Sequence, residues 1–276
     1  MNKELIISKK TINLKIYYFI LFSFYCLSHV GIFFIKDAIF YDDWTIVDSN
    51  QAILFKIFSF AGFPWTSYIH SFLLNIGPSV YRLITFILNF LTGILFDLIL
   101  IRTNKFNLDN RFLIISVFLT VPVNISRVLL ITLPYTICYF LFFLAWYLKA
   151  YNKYLSYFIF FFSFITNSLL CFYFIQVGYD YYIKNGRLIN IKRIYKYITK
   201  NFIFISLPFF FFILKNIYLK PNGLFKGYND QFSLTSLLTT PTKQFIEFSS
   251  IAIPNLGLLI ITVTLSYVYL KKAKLF

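Results

Sequence analysis

Charge is scarce in this chain. Charged residues make up 13% of its 276 positions, and only 10 residues are acidic. A soluble domain carries about 25% charged residues, so these residues cannot cover a water-exposed surface. Hydrophobic residues account for 59% of the chain. The composition therefore excludes an ordinary soluble domain and predicts an all-α, polytopic membrane protein.

Cysteine is also scarce. The three residues, Cys26, Cys138 and Cys171, each lie inside an apolar run. Their spacing matches neither a disulfide framework nor a metal-binding pattern, so we expect small hydrophobic side chains in packed surroundings. Internal repeats, heptads and a glycine-rich phosphate loop are absent as well. We therefore predict a single transmembrane domain over residues 1–276.

Long apolar runs, by contrast, are abundant. A helix needs roughly 20 apolar residues to cross about 30 Å of hydrocarbon. The first run follows four lysines and has no small-residue cleavage site after it, so we expect an uncleaved span. Pro122 ends the third run, and the polar stretch TNS at 166–168 divides a run that is too long for one crossing. We predict about eight transmembrane helices, at 14–35, 80–101, 112–126, 128–148, 154–166, 168–183, 202–219 and 251–270.

Basic residues segregate between the loops that these spans define. The formal net charge of +16 could indicate a nucleic-acid partner. However, 18 of the 26 basic residues fall in one set of loops and termini, which the positive-inside rule assigns to the cytoplasm. We therefore expect no nucleic-acid partner, both termini in the cytoplasm, and outer loops at 36–78 and 220–250. The expected location is a bacterial cytoplasmic (inner) membrane.

The first outer loop mixes apolar and sparse polar residues. Residues 45–65 and 66–77 fit short helices lying in the interfacial plane, with Trp44 and Trp65 at headgroup depth. Two adjacent aspartates, Asp42 and Asp43, come just before these helices. A loop packed along the membrane would hold both carboxylates close to the lipid boundary.

The stretch FYDDW at 40–44 resembles the Asp-Asp-Trp stretch of the membrane-embedded C-type (GT-C) glycosyltransferases, in the bacterial branch that decorates surface polysaccharides and lipids. The short third span with VPVNISR at 121–127 and the ITNSLL hairpin at 165–170 are similar to that family's layout. The chain has GFPWTSYIH at 62–70 where many relatives carry a Gly-Arg-Pro-type motif, and relatives are usually longer. We expect a short member of the family or an incomplete chain.

The resemblance implies that a sugar moves from a polyprenyl-phosphate donor to a glycan or lipid acceptor at the outer face of the membrane. Such transfer serves the assembly of surface polysaccharides, including lipopolysaccharide. Family members place the catalytic aspartate in the first outer loop, and we carry that role to Asp42 first and Asp43 second. A carboxylate within hydrogen-bond reach can take the proton of the acceptor hydroxyl. The neighbouring aspartate would orient the acceptor or bind a divalent cation, Mg or Mn, through its oxygen atoms.

The donor phosphate needs cationic partners, and arginine suits bidentate phosphate contact. Arg127 is the first candidate because it lies in the short outer turn between the third and fourth spans. Weaker candidates for binding the phosphate or the sugar are Arg82, Lys220, Lys226, His70, Asn124 and Asn167.

Two other functions stay open from the sequence. A surface-polysaccharide polymerase also has many spans and large outer loops, but usually with arginine in them, and 220–250 contains lysine and no arginine. A lipid-linked sugar flippase or another transporter usually carries charged groups near the middle of the membrane, whereas the charges here lie near span ends. These patterns favour a transferase.

Overall fold

A computed structural model describes residues 14–35, 37–120, 128–166, 168–185 and 191–226, together with residues 242–243, 246, 249, 257, 260, 264 and 267–268. Within these residues the chain is helical and contains no strand, which confirms the all-α class. The α-helices are α1 Leu14–Phe34, α2 Trp44–Val47, α3 Gln51–Phe60, α4 Thr66–Leu74, α5 Pro78–Thr103, α6 Leu108–Thr120, α7 Leu133–Leu148, α8 Lys153–Ser163, α9 Ser168–Asn185, α10 Ile191–Lys200 and α11 Phe202–Tyr218. Two short 3-10 helices lie at Tyr41–Asp43 and Gly223–Phe225.

Only some of the predicted spans coincide with observed helices. The runs 14–35, 80–101 and 202–219 coincide with α1, α5 and α11, whereas 251–270 lies almost wholly outside the described residues. Among the described helices, α5 alone is long and apolar enough to cross a membrane, and α10 with α11 passes the same test as a pair bent by 70°. Helices α6, α7 and α8 have 13, 16 and 11 residues, short of the roughly 20 that a crossing needs. The structure therefore supports the helical class but not the count of eight spans.

The predicted interfacial helices correspond to α3 and α4. Asn50 caps α3, because its side-chain oxygen accepts the N–H of Ile53. At the other end of α3, Gly62 has φ +85, a left-handed conformation that ends the helix. A Cβ at this position would lie 2.2 Å from the backbone oxygen of Leu219, so the chain after α11 packs directly on this turn.

The described helices bury three groups of side chains. One lies between α7, α8, α9 and α11, and a second between α1, α5 and α6. The third, here called the loop cluster, joins residues 37–78 to the beginnings of α5 and α7. Its buried members are Ile46, Leu54, Phe58, Leu73, Tyr81, Leu130 and Leu133. The loop cluster makes 37–78 a folded layer rather than a flexible linker.

A buried ion pair crosses the α1, α5 and α6 bundle. The Arg111 guanidinium donates through Nε and Nη2 to the two carboxylate oxygens of Asp97, at 2.9 and 2.8 Å. The hydroxyls of Tyr17 and Tyr18 donate to the same carboxylate, at 3.2 and 2.9 Å. Because every charge here has hydrogen-bonding partners, the network can be buried without a large net penalty.

Candidate functional site

Asp43 lies in the 3-10 helix before α2, and its side chain is buried with 0% exposure. Its two carboxylate oxygens accept backbone N–H groups from Leu130 and Ile131, each at 3.0 Å. Hydrogen bonds to a charged acceptor are stronger than neutral ones, so the Asp43 carboxylate holds the two segments firmly together. It joins residues 37–78 to the turn at 128–132. Helix α7 begins at Leu133 rather than at the predicted 128, and Pro134, which has no N–H to donate, lies in its first turn.

Asp42 has the opposite environment, because its side chain is exposed. Its backbone oxygen accepts the Thr45 hydroxyl at 2.6 Å, so the main chain is held while the carboxylate remains at the surface. The preceding residue, Tyr41, has φ +48, which is unusual for a large aromatic side chain and costs about 1–2 kcal/mol. Strain of this kind is often found beside functional residues. The two adjacent aspartates therefore play different structural parts.

Arg82 lies in the first turns of α5 and is 3% exposed. Its guanidinium donates to the backbone oxygen of Ala38, and its Cζ lies 5.8 Å from the centroid of the Phe40 ring. The negative charges of Asp43 and Asp37 attract this guanidinium. Arg82 thus holds the chain that leads into the aspartate pair. Its predicted role in binding phosphate stays a prediction.

His70 on α4 is also fully buried, packed between two rings. The Phe58 ring stacks on it at 4.7 Å between centroids, and the Tyr81 hydroxyl donates to the His70 backbone oxygen at 3.0 Å. Since that hydroxyl has a single proton, the 3.1 Å contact to His70 Nδ1 requires Nδ1 to be the donor. Nε2 is then an unprotonated acceptor, and it has no hydrogen-bond partner among the described residues. Burial lowers the pKa of His70 to about 4, so the ring is neutral near pH 7.

Several predicted site residues come together around one unpredicted residue. Tyr81 contacts His70, precedes Arg82 in α5, and lies close enough to Asp43 for that charge to act on it. The only sequence signal for it was its position beside Arg82 at the start of a long span. Lys215 was missed too: it is nearly buried in α11, with Nζ 4.7 Å from the centroid of the Phe63 ring.

Lys220 and Lys226 are exposed and lie elsewhere. They belong to the segment after α11, where the Asn222 N–H donates to the backbone oxygen of Phe60 at 2.8 Å. The structure therefore places both lysines beside the C-terminal end of α3. Neither lysine belongs to the buried group of residues around Tyr81.

Arg127, Asn124 and Asn167 lie outside the described residues. The predicted role of Arg127 in binding phosphate therefore stays a prediction.

The aspartate pair does not fit a divalent cation well. A cation such as Mg or Mn needs several oxygen ligands converging on one point. Asp43 turns inward to two N–H groups, and Asp42 is at the surface. The described ranges also bring together no group of three or more His, Cys, Asp or Glu side chains that could hold a metal.

Comparison with known proteins identifies no relative. No family model, no curated protein and no solved structure matches this chain. The resemblance to the C-type glycosyltransferases consequently rests on the FYDDW stretch and on the helical layout.

Proposed function

We propose that the chain is an integral membrane glycosyltransferase that moves a sugar from a polyprenyl-phosphate donor to a glycan or lipid acceptor at the outer face. Membrane embedding is supported by the outer surface of α11, where Phe209, Phe210, Phe212 and Ile213 are each more than half exposed. Soluble monomers rarely expose so many adjacent apolar side chains. In a bilayer these side chains would contact lipid.

The proposed topology keeps about eight membrane segments with cytoplasmic termini in a bacterial inner membrane. The 11 residues of α8 rise about 16 Å, so this helix would cross only about half of the hydrocarbon. Helices α8 and α9, which follow each other across the turn at 164–166, would then form a hairpin. The first outer loop, folded on the loop cluster, would lie at the outer interface.

The division between the two aspartates is the observation that carries the enzymatic proposal. Asp43 ties the turn to the chain before α7, and Arg82 holds the chain leading into it. Asp42 is thus exposed on a turn that is fixed from two sides. A general base needs this combination, because a fixed carboxylate loses little orientational freedom when the acceptor arrives. We assign catalysis to Asp42, whereas Asp43 is a positioning residue.

In the proposed reaction Asp42 accepts the proton of the acceptor hydroxyl. The acceptor oxygen forms a bond to the anomeric carbon of the sugar while the bond from that carbon to the phosphate oxygen breaks. The bonding electron pair leaves with polyprenyl phosphate. This leaving group is stable as an anion, so no strong acid is required. Arg127 is the proposed cationic partner of the phosphate, since arginine donates two parallel hydrogen bonds to such a group.

The test compares two exposed aspartates of the same loop. Asp42→Asn should lower transfer of radiolabelled sugar from polyprenyl-phosphate donors by about 10²- to 10⁴-fold, the usual contribution of a general base. Asp48→Asn, a matched change at an exposed position after α2, should transfer like the wild type. Normal transfer by Asp42→Asn would reject the assignment. Passage of intact donor across proteoliposomes without transfer would identify a flippase instead.

A further inference from the structure

Helix α10 has two chemically opposite faces. Its sequence is IKRIYKYITK, and a helical period of 3.6 residues gathers the basic side chains on one side. The four basic residues are all exposed: Lys192, Arg193, Lys196 and Lys200. The opposite side exposes Ile191, Tyr195 and Ile198, the first two at 83% and 70%. Apolar side chains this exposed are stabilised when another apolar surface removes them from water.

The orientation of α10 is fixed by the buried side chain of Tyr197. Tyr197 is turned toward α9, where its hydroxyl donates to Asp180 at 3.2 Å. Asp180 in turn forms an ion pair with Lys149, with 3.1 Å between Oδ2 and Nζ, which joins α10 to the end of α7. The rings of Tyr197 and Tyr181 pack edge to face at 5.3 Å between centroids. The basic side chains therefore lie on one side of this contact, and the exposed apolar side chains lie on the other.

The angle to the next helix indicates what covers α10. The axes of α10 and α11 are bent by 70° at Asn201. If α11 crosses the bilayer, α10 runs close to the membrane plane. A helix in that plane places apolar side chains among the upper acyl chains and basic side chains among the headgroups. Both exposed faces of α10 would then have suitable surroundings.

We propose that α10 lies in the cytoplasmic interface of the membrane and binds anionic phospholipid headgroups through its row of four basic residues. Charge complementarity supports this partner, because each lysine or arginine near an anionic surface adds to binding. A nucleic acid would neutralise the basic row but leave Ile191, Tyr195 and Ile198 exposed to water. The inference rests on the membrane embedding proposed above and is independent of glycosyl transfer.

The experiment titrates the full chain, purified in an uncharged detergent, with phosphatidylglycerol and counts bound lipid by native mass spectrometry. Each basic residue near an anionic surface contributes about fivefold in binding. Lys196→Gln with Lys200→Gln should therefore raise the half-saturating lipid concentration about 25-fold. The matched control, Lys56→Gln with Lys243→Gln, removes two exposed lysines of the proposed outer loops and should bind like the wild type. Phosphatidylcholine should bind both variants and the wild type equally weakly.

Other results would contradict lipid binding by α10 or membrane embedding of the chain. Equal losses in the two double variants, or equal binding of phosphatidylcholine and phosphatidylglycerol, would overturn the proposal. Displacement of the lipid by RNA at equal phosphate concentration would assign the basic row to nucleic acid. A chain that stays in solution without detergent would refute membrane embedding instead. Asp42→Asn should bind phosphatidylglycerol normally, so loss of transfer and loss of lipid binding are separable.

Discussion

Substituting each of the two adjacent aspartates with asparagine should separate stability from activity. Asp43→Asn removes a charge that accepts two backbone N–H groups inside the protein. Asp42→Asn makes the same chemical change one residue earlier, at the surface. We expect the first to destabilise the fold and the second to leave it unchanged.

The magnitude follows from the hydrogen bonds of Asp43. A hydrogen bond to a charged group contributes about 1.5–3 kcal/mol, and a buried donor left unpaired costs about 1–3 kcal/mol. Asparagine keeps one acceptor oxygen and turns its NH₂ group toward the other N–H. Asp43→Asn should therefore lower the free energy of unfolding by about 2–4 kcal/mol, and Asp43→Ala by about 3–6 kcal/mol. Whole proteins are stable by only about 5–15 kcal/mol, so both losses are measurable.

Cys138 provides the assay. It is buried in α7, whereas Cys171 is exposed and Cys26 is intermediate. In a background with serine at positions 26 and 171, a thiol dye reports the thermal opening of the helices next to the anchored turn. Asp43→Asn should lower the midpoint by about 5–15 °C, and Asp42→Asn should not shift it. Equal midpoints for the two asparagine variants would refute the anchoring role of Asp43.

Three further predictions test the fold. Gly62→Ala should destabilise the protein in thermal unfolding, because Gly62 has a positive φ and the new Cβ would lie 2.2 Å from the backbone oxygen of Leu219. Gly31→Ala, with open space around it, should be neutral or stabilising. The free energy of unfolding should fall on the order of 3 kcal/mol from pH 6.5 to pH 4, because His70 takes up its proton near pH 6.5 in the unfolded chain and near pH 4 in the folded one. His70→Asn should make the free energy of unfolding depend less on pH in this range. An unchanged pH dependence in this variant would contradict the prediction. Arg111→Met should lower the free energy of unfolding in denaturant by about 3–5 kcal/mol, because it leaves the Asp97 charge buried and unpaired. Adding Asp97→Asn should restore part of this stability. A double variant no more stable than Arg111→Met would argue against the ion pair.

The sequence by itself determined the features that depend on local composition. Apolar runs and their lengths are read along the chain, so they predicted the all-α class and the positions of α1, α5 and α11. Sparse polar residues among apolar ones likewise indicated the short helices α3 and α4. The scarcity of acidic residues also drew attention to Asp42 and Asp43 as a candidate site.

Only the tertiary structure decided which of the two aspartates faces inward. Its binding partners, Leu130 and Ile131, lie 87 and 88 residues further along the chain, and no local pattern relates such distant positions. The group formed by His70 and Tyr81 arises in the same way, where α4 packs on α5. Hydropathy and periodicity describe one helix at a time, whereas the direction of a side chain in a turn depends on the backbone that packs against it.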